Sequence, residues 1–180
     1  MFLPFGYCQI LDPTPLQRAL AAAPERAPQV PPPQEQEFFC FTLGELHLGV
    51  PSESVREVLR VKRITPVPRV PSFVLGVAGH RGEILPILDL LRFFGKGEGR
   101  PGPRARVFVG AVGAYIAGFL VDTVAGLHRF PAADILPSPI GGDVSAENVL
   151  GVVQRPGVPV VSLLNFAKLL QNARARAVAR

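Results

Sequence analysis

Apolar positions along this chain recur in short runs separated by turn residues, the pattern of strands joined by tight connections. The runs 39–43 and 46–50 flank Gly44 and Glu45, which predicts a two-residue hairpin. Ser52 is then a candidate N-cap, and Val55, Val58 and Leu59 recur at i, i+3 and i+4, predicting a short helix. Pro66, Pro68 and Pro71 keep the next stretch extended. The stretch 73–90, FVLGVAGHRGEILPILDL, reads as strand, turn, strand. Phe73, Val74, Leu75 and Val77 form the approach, and Ile84, Leu85, Ile87 and Leu88 the return. Gly79-His80-Arg81-Gly82 makes the turn, with Gly79 and Gly82 free to take positive φ. A charge on so short a hinge is held in place without being buried, which suits recognition of a partner.

Beyond 90 the same reading continues. A helical turn is expected over 90–94, a polar Gly/Pro loop over 96–104, and strands over 107–112, 115–121 and 124–129. One turn over 132–136 and a loop over 138–146 precede a last hairpin, 149–153 with 158–163, turning at Pro156-Gly157. A helix over 164–170 closes the pattern, with Leu164, Lys168 and Asn172 along one side, followed by a basic tail over 171–180. Residues 1–36 differ from everything after them. Pro13, Pro15, Pro24, Pro28 and Pro31 to Pro33 interrupt any long element, and the Pro/Gln/Ala/Glu composition after Pro24 is that of an extended linker. Mainly β architecture, small curved sheets with few helices, is the expectation for 37–170.

Composition narrows the function. The chain has 180 residues and 48% hydrophobic content, enough for one ordinary core or two small ones. No run approaches the length of a membrane helix, and the N-terminus lacks the basic start of a signal peptide, so the cytoplasm is the expected compartment. Cys8 and Cys40 fit no metal or redox spacing, and Cys40 sits in an apolar strand pattern as a buried thiol. The net charge of +5 comes almost wholly from arginines scattered along the chain, and two tyrosines with no tryptophan argue against a stacking surface for nucleic acid. His47, His80 and His128 have no second ligand at metal spacing, and neither a phosphate-binding glycine loop nor a nucleophile elbow is present. Asp89 and Asp122 each end a strand, where a carboxylate bonds turn amides. No catalytic, metal-binding or cofactor-binding constellation emerges, so the chain is expected not to be an enzyme.

The 73–90 stretch resembles the CheW family of bacterial chemotaxis adaptors. Gly76, Val77, Arg81, Gly82, Pro86, Ile87, Asp89 and Leu90 match the family pattern, while Gly79 and His80 stand where Asn and Leu are usual. Three further stretches agree in order and spacing: 38–59, 113–130 and 148–170. The resemblance covers about 37–170 and implies two five-stranded, SH3-like β-barrel subdomains side by side, with the chain crossing between them. It also implies a non-enzymatic adaptor that joins a methyl-accepting chemotaxis receptor to a CheA-type histidine kinase in cytoplasmic receptor arrays. The resemblance further implies that Val55, Glu57, Gly76 and Arg81 stand at the positions associated in that family with docking the receptor's cytoplasmic hairpin tip. Val55 has a competing role in packing, Gly76 as a strand glycine near a bulge, and Arg81 as an ion-pair partner of Glu57. The segments 84–90 and 116–122 are candidates for pairing with the kinase's regulatory domain. Two alternatives stand beside this reading: the same fold serving a motility or developmental pathway, binding receptor only, and a basic SH3-like barrel binding RNA.

Overall fold

The computed structural model describes residues 34–60, 63–99, 102–137, 144 and 146–178, and the proline-rich stretch up to Pro33 lies outside them. Eleven strands are formed. Strands β1 (Glu35–Leu43) and β2 (Leu46–Pro51) make the expected first hairpin, and β3 (Val55–Arg60), β4 (Val74–His80) and β5 (Glu83–Asp89) follow. After helix α1 (Leu90–Phe93) come β6 (Arg106–Val112), β7 (Tyr115–Val121), β8 (Thr123–Pro131), β9 (Ile135–Leu136), β10 (Val149–Val153) and β11 (Val161–Leu164). Helix α2 (Phe166–Val178) ends the described chain. The strands form two sheets, ordered β8-β1-β2-β11-β10-β9 and β3-β6-β7-β5-β4. These are the two SH3-like subdomains expected from the sequence, the sixth strand of the first sheet being the two-residue β9. The chain enters through the first sheet, builds the whole of the second, and returns, so the first subdomain is split around a continuous second one. Each sheet is tied by one parallel pairing, β11 with β2 and β5 with β7.

Alternation explains why some strands are apolar on both faces. Phe38, Phe39, Cys40 and Phe41 are all buried. Phe38 and Cys40 pack with Phe130, Val153 and Leu163 in a core of the first sheet. Phe39 and Phe41 point the other way, into a core shared with Phe108, Phe119 and Phe166. In β6, Val107 and Val109 serve a third core with Leu85, Ile87 and Leu120, while Phe108 between them joins the shared one. The Phe108 ring stacks on Phe119 at 4.9 Å and lies 5.1 Å from Phe41, so aromatic rings of both sheets interlock. Burying each such side chain contributes about 1.5–3 kcal/mol, and a strand packed on both faces loses its polar alternation.

Three expectations fail for physical reasons. Ser52 caps no helix: Ser52–Ser54 is a 3-10 turn with Pro51 as its N-cap, and Val55–Arg60 is a strand with alternating burial. Three apolar positions over five residues fit either period, and pairing with β6 decides the matter. The segment 171–178 is not a tail but the second half of α2. Phe166, Leu169, Leu170 and Ala173 form its buried stripe, while Lys168 is exposed and Leu164 belongs to β11. The guanidinium of Arg174 lies 4.4 Å over the Tyr115 ring and that of Arg176 4.6 Å over Phe93. The arginines that read as a solvated tail thereby pin the helix down. The last hairpin is also shorter than expected, since residues 158–160 are exposed outside β11.

Candidate functional site

Hydrogen bonding in register carries the β4–β5 hairpin up to His80 opposite Glu83, which leaves Arg81 and Gly82 as a two-residue turn. Their φ values are 49° and 84°, both left-handed, as a tight hairpin that follows strand twist requires. Gly82 accepts that geometry freely, whereas in Arg81 it costs roughly 1–2 kcal/mol. The sequence leaves Gly79 free to take positive φ or a close backbone approach; it lies within β4, and Arg81 takes the left-handed position beside Gly82. The turn projects the Arg81 side chain into solvent at 77% exposure.

Glu57 meets it from β3. The register of β3 against β6 slips between Val55 and Glu57, a bulge that turns the two side chains apart. Val55 packs against the shared core, and Glu57 reaches the β4–β5 turn. One carboxylate oxygen of Glu57 lies 2.7 Å from His80 Nε2, and the other accepts from Arg81 Nη2 at 3.1 Å. A cleft of about 390 Å³ opens here, with Arg56, Glu57, His80 and Arg81 on its polar side and Leu85 and Ile116 among its apolar lining. The sequence marks His80 as lacking a metal partner and as a departure from the family pattern, but not as a partner of Glu57. Its place beside Arg81, where the family pattern has leucine, was the available signal.

Val55 and Gly76 are not among the residues lining that cleft. Gly76 is buried in β4 with φ 142°, and a Cβ there would sit 2.2 Å from the Thr65 carbonyl oxygen. Thr65 and Val77 exchange backbone hydrogen bonds at this crossing, so only glycine lets the two segments approach. The structure therefore brings Glu57 and Arg81 together and leaves Val55 and Gly76 in packing positions. The strand-end aspartates act as expected. Asp89 is buried and accepts from the amides of Leu91, Arg92 and Gly99, and Asp122 accepts from Gly44. The two segments considered for kinase pairing are interior strands. β5 is bonded to β4 and β7, β7 to β5 and β6, and most of their side chains are buried, with Ile84 the large exception at 77% exposure.

Among the described residues no group of three or more His, Cys, Asp or Glu is placed to hold a metal ion. No helix among them is long and apolar enough to cross a membrane.

The fold is two SH3-like barrels sharing a core, with a charged hairpin tip on the second. The CheW-like domain model matches residues 37–174, and the chain belongs to that family. Protein FrzA of Myxococcus xanthus is 63% identical over 159 residues, 88% of this chain and 99% of that protein. Chemotaxis protein CheW of Rhizobium meliloti (strain 1021) is 32% identical over 123 residues, 68% of this chain and 79% of that protein. The crystal structure of the scaffolding protein TtCheW from Thermoanaerobacter tengcongensis matches with a TM-score of 0.69 at 26% identity, over 76% of this chain and 88% of that one. The protein is thus a CheW-like chemosensory adaptor and not an enzyme.

Proposed function

We propose that this adaptor couples a methyl-accepting chemotaxis receptor to a CheA-type histidine kinase, holding both within cytoplasmic receptor arrays. The receptor's hairpin tip docks at the Glu57–Arg81 cleft, where Arg81 makes the contact, and Val55 and Gly76 shape the ground beside it. The observation that carries this reading is Arg81 itself: a strained, solvent-projected arginine on a rigid hairpin, steadied by Glu57 of β3. Strain retained at an exposed charged residue is the mark of a contact site. A planar guanidinium with five donors suits carbonyl and carboxylate groups at a helical hairpin tip. Contacts of modest strength with receptor and kinase would gain from repetition in an array. Separate pulldowns with the receptor tip and with the kinase regulatory domain test the proposal. Both are expected to be retained, and loss of both sinks it.

A receptor-only role in a motility or developmental pathway is the second reading. The 63% identity to Protein FrzA, a CheW homologue of a motility chemosensory system, supports the pathway part of this reading. Retention of the receptor tip without the kinase domain would select it.

A further inference from the structure

Two of the stretches rich in basic residues contribute Arg60 and Arg106 to one end of the second sheet. Residues 60–64 read RVKRI and residues 100–106 read RPGPRAR, with no carboxylate in either. The register of β3 against β6 sets Arg60 directly opposite Arg106. Like charges directly opposed across strands are destabilising. Arg106 bonds only the Ala105 carbonyl, at 2.8 Å, and neither arginine has a carboxylate partner among the described residues. Elsewhere the protein does pair its arginines, Arg129 with Glu37 and Arg155 with Asp134. The opposed pair faces an open concavity of about 410 Å³, floored by Gly102, Pro103 and Ala105, and exposed Arg104 follows on the same loop. A fold that spends stability on two facing guanidiniums leaves them able to be neutralised from outside.

We propose that this end of the second barrel is a docking surface for an acidic segment of a protein partner, with Arg60 and Arg106 gripping its carboxylates. Two guanidinium forks side by side suit successive carboxylates, which they bind through paired donors. Among the described residues no aromatic side chain lines the concavity, so none of them offers a platform for base stacking, on which single-stranded nucleic acid relies. The surface is separate from the Glu57–Arg81 cleft, whose lining shares no residue with it.

The test uses the full chain, a fluorescein-labelled hexaglutamate peptide and a labelled oligonucleotide, followed by anisotropy at fixed ionic strength. Arg60→Glu is expected to weaken hexaglutamate binding at least tenfold while raising the melting temperature, because the opposed pair becomes an attractive one. Arg106→Gln is expected to weaken binding several-fold. Lys168→Glu, the same charge change on an exposed helical site, should alter binding less than twofold. Equal losses in Arg60→Glu and Lys168→Glu would mean that net charge alone attracts the peptide, and would overturn the proposal. So would an unchanged affinity in Arg60→Glu, or Arg60-dependent binding of the oligonucleotide tighter than that of the peptide.

Discussion

Arg81 shows how one side chain can serve geometry and recognition together. Its ion pair with Glu57 is largely solvent-exposed, so it contributes about 0–1 kcal/mol to stability. Arg81→Ala is therefore expected to abolish receptor-tip binding and leave the unfolding free energy within about 1 kcal/mol of wild type, read by pulldown and urea melts. The swapped protein Glu57→Arg/Arg81→Glu is expected not to recover binding, since a carboxylate cannot present the guanidinium's donors. Position 57 also faces His80, 2.7 Å away, where the swap would exchange an acceptor for a cation. Full rescue by the swap would show that pairing, not contact, is what Arg81 supplies. Cys40 belongs to the interior, and burial pushes its thiol from 9.0 up to about 11. Because the folded state holds this proton longer than the unfolded chain, the associated stability is intact below pH 9 and is lost as pH rises from 9 towards 11. The loss amounts to about 2–3 kcal/mol in all. Urea melts across that range should show the decline in a Cys8→Ser protein and a shallower one in Cys8→Ser/Cys40→Ala.

Elements were legible wherever a turn signal bounded them. Gly44-Glu45 and the Arg81-Gly82 region marked hairpins, and the strand-end aspartates marked where β5 and β7 stop. The segment Val55–Arg60 was not legible, because its few apolar residues fit both periods until β6 lies beside them. Helix α2 was cut short in the sequence reading because its last turns carry arginines rather than apolar residues. Those arginines stack on Tyr115 and Phe93, which lie 59 and 83 positions earlier in sequence. Truncation after Leu170 removes both stacking contacts and buried Ala173. It is expected to cost about 2–3 kcal/mol, seen as a fall of several degrees in melting temperature. A loss under 1 °C would show the last turns to be ornamental.

For the whole molecule, the three cores are drawn from residues between Phe38 and Ala173, and β1 begins at Glu35. A chain of residues 34–180 is accordingly expected to melt in one cooperative transition within a few degrees of the full chain. Loss of cooperativity would mean that residues before 34 supply part of a core. The deletion must stop short of 35, because Glu35 and Gln36 already pair with Pro131 and Phe130 of β8. The sequence alone determined the β class, most strand positions, the hairpin that carries Arg81 and the resemblance to CheW-like adaptors. Those features depend on side-chain alternation and turn residues, which act over a few positions. Only the tertiary structure decided that β3 is a strand, that Glu57 grips His80 as well as Arg81, and that Arg60 stands opposite Arg106. These are contacts between residues 23 to 55 positions apart, and they are fixed by strand pairing and register, which local pattern does not encode.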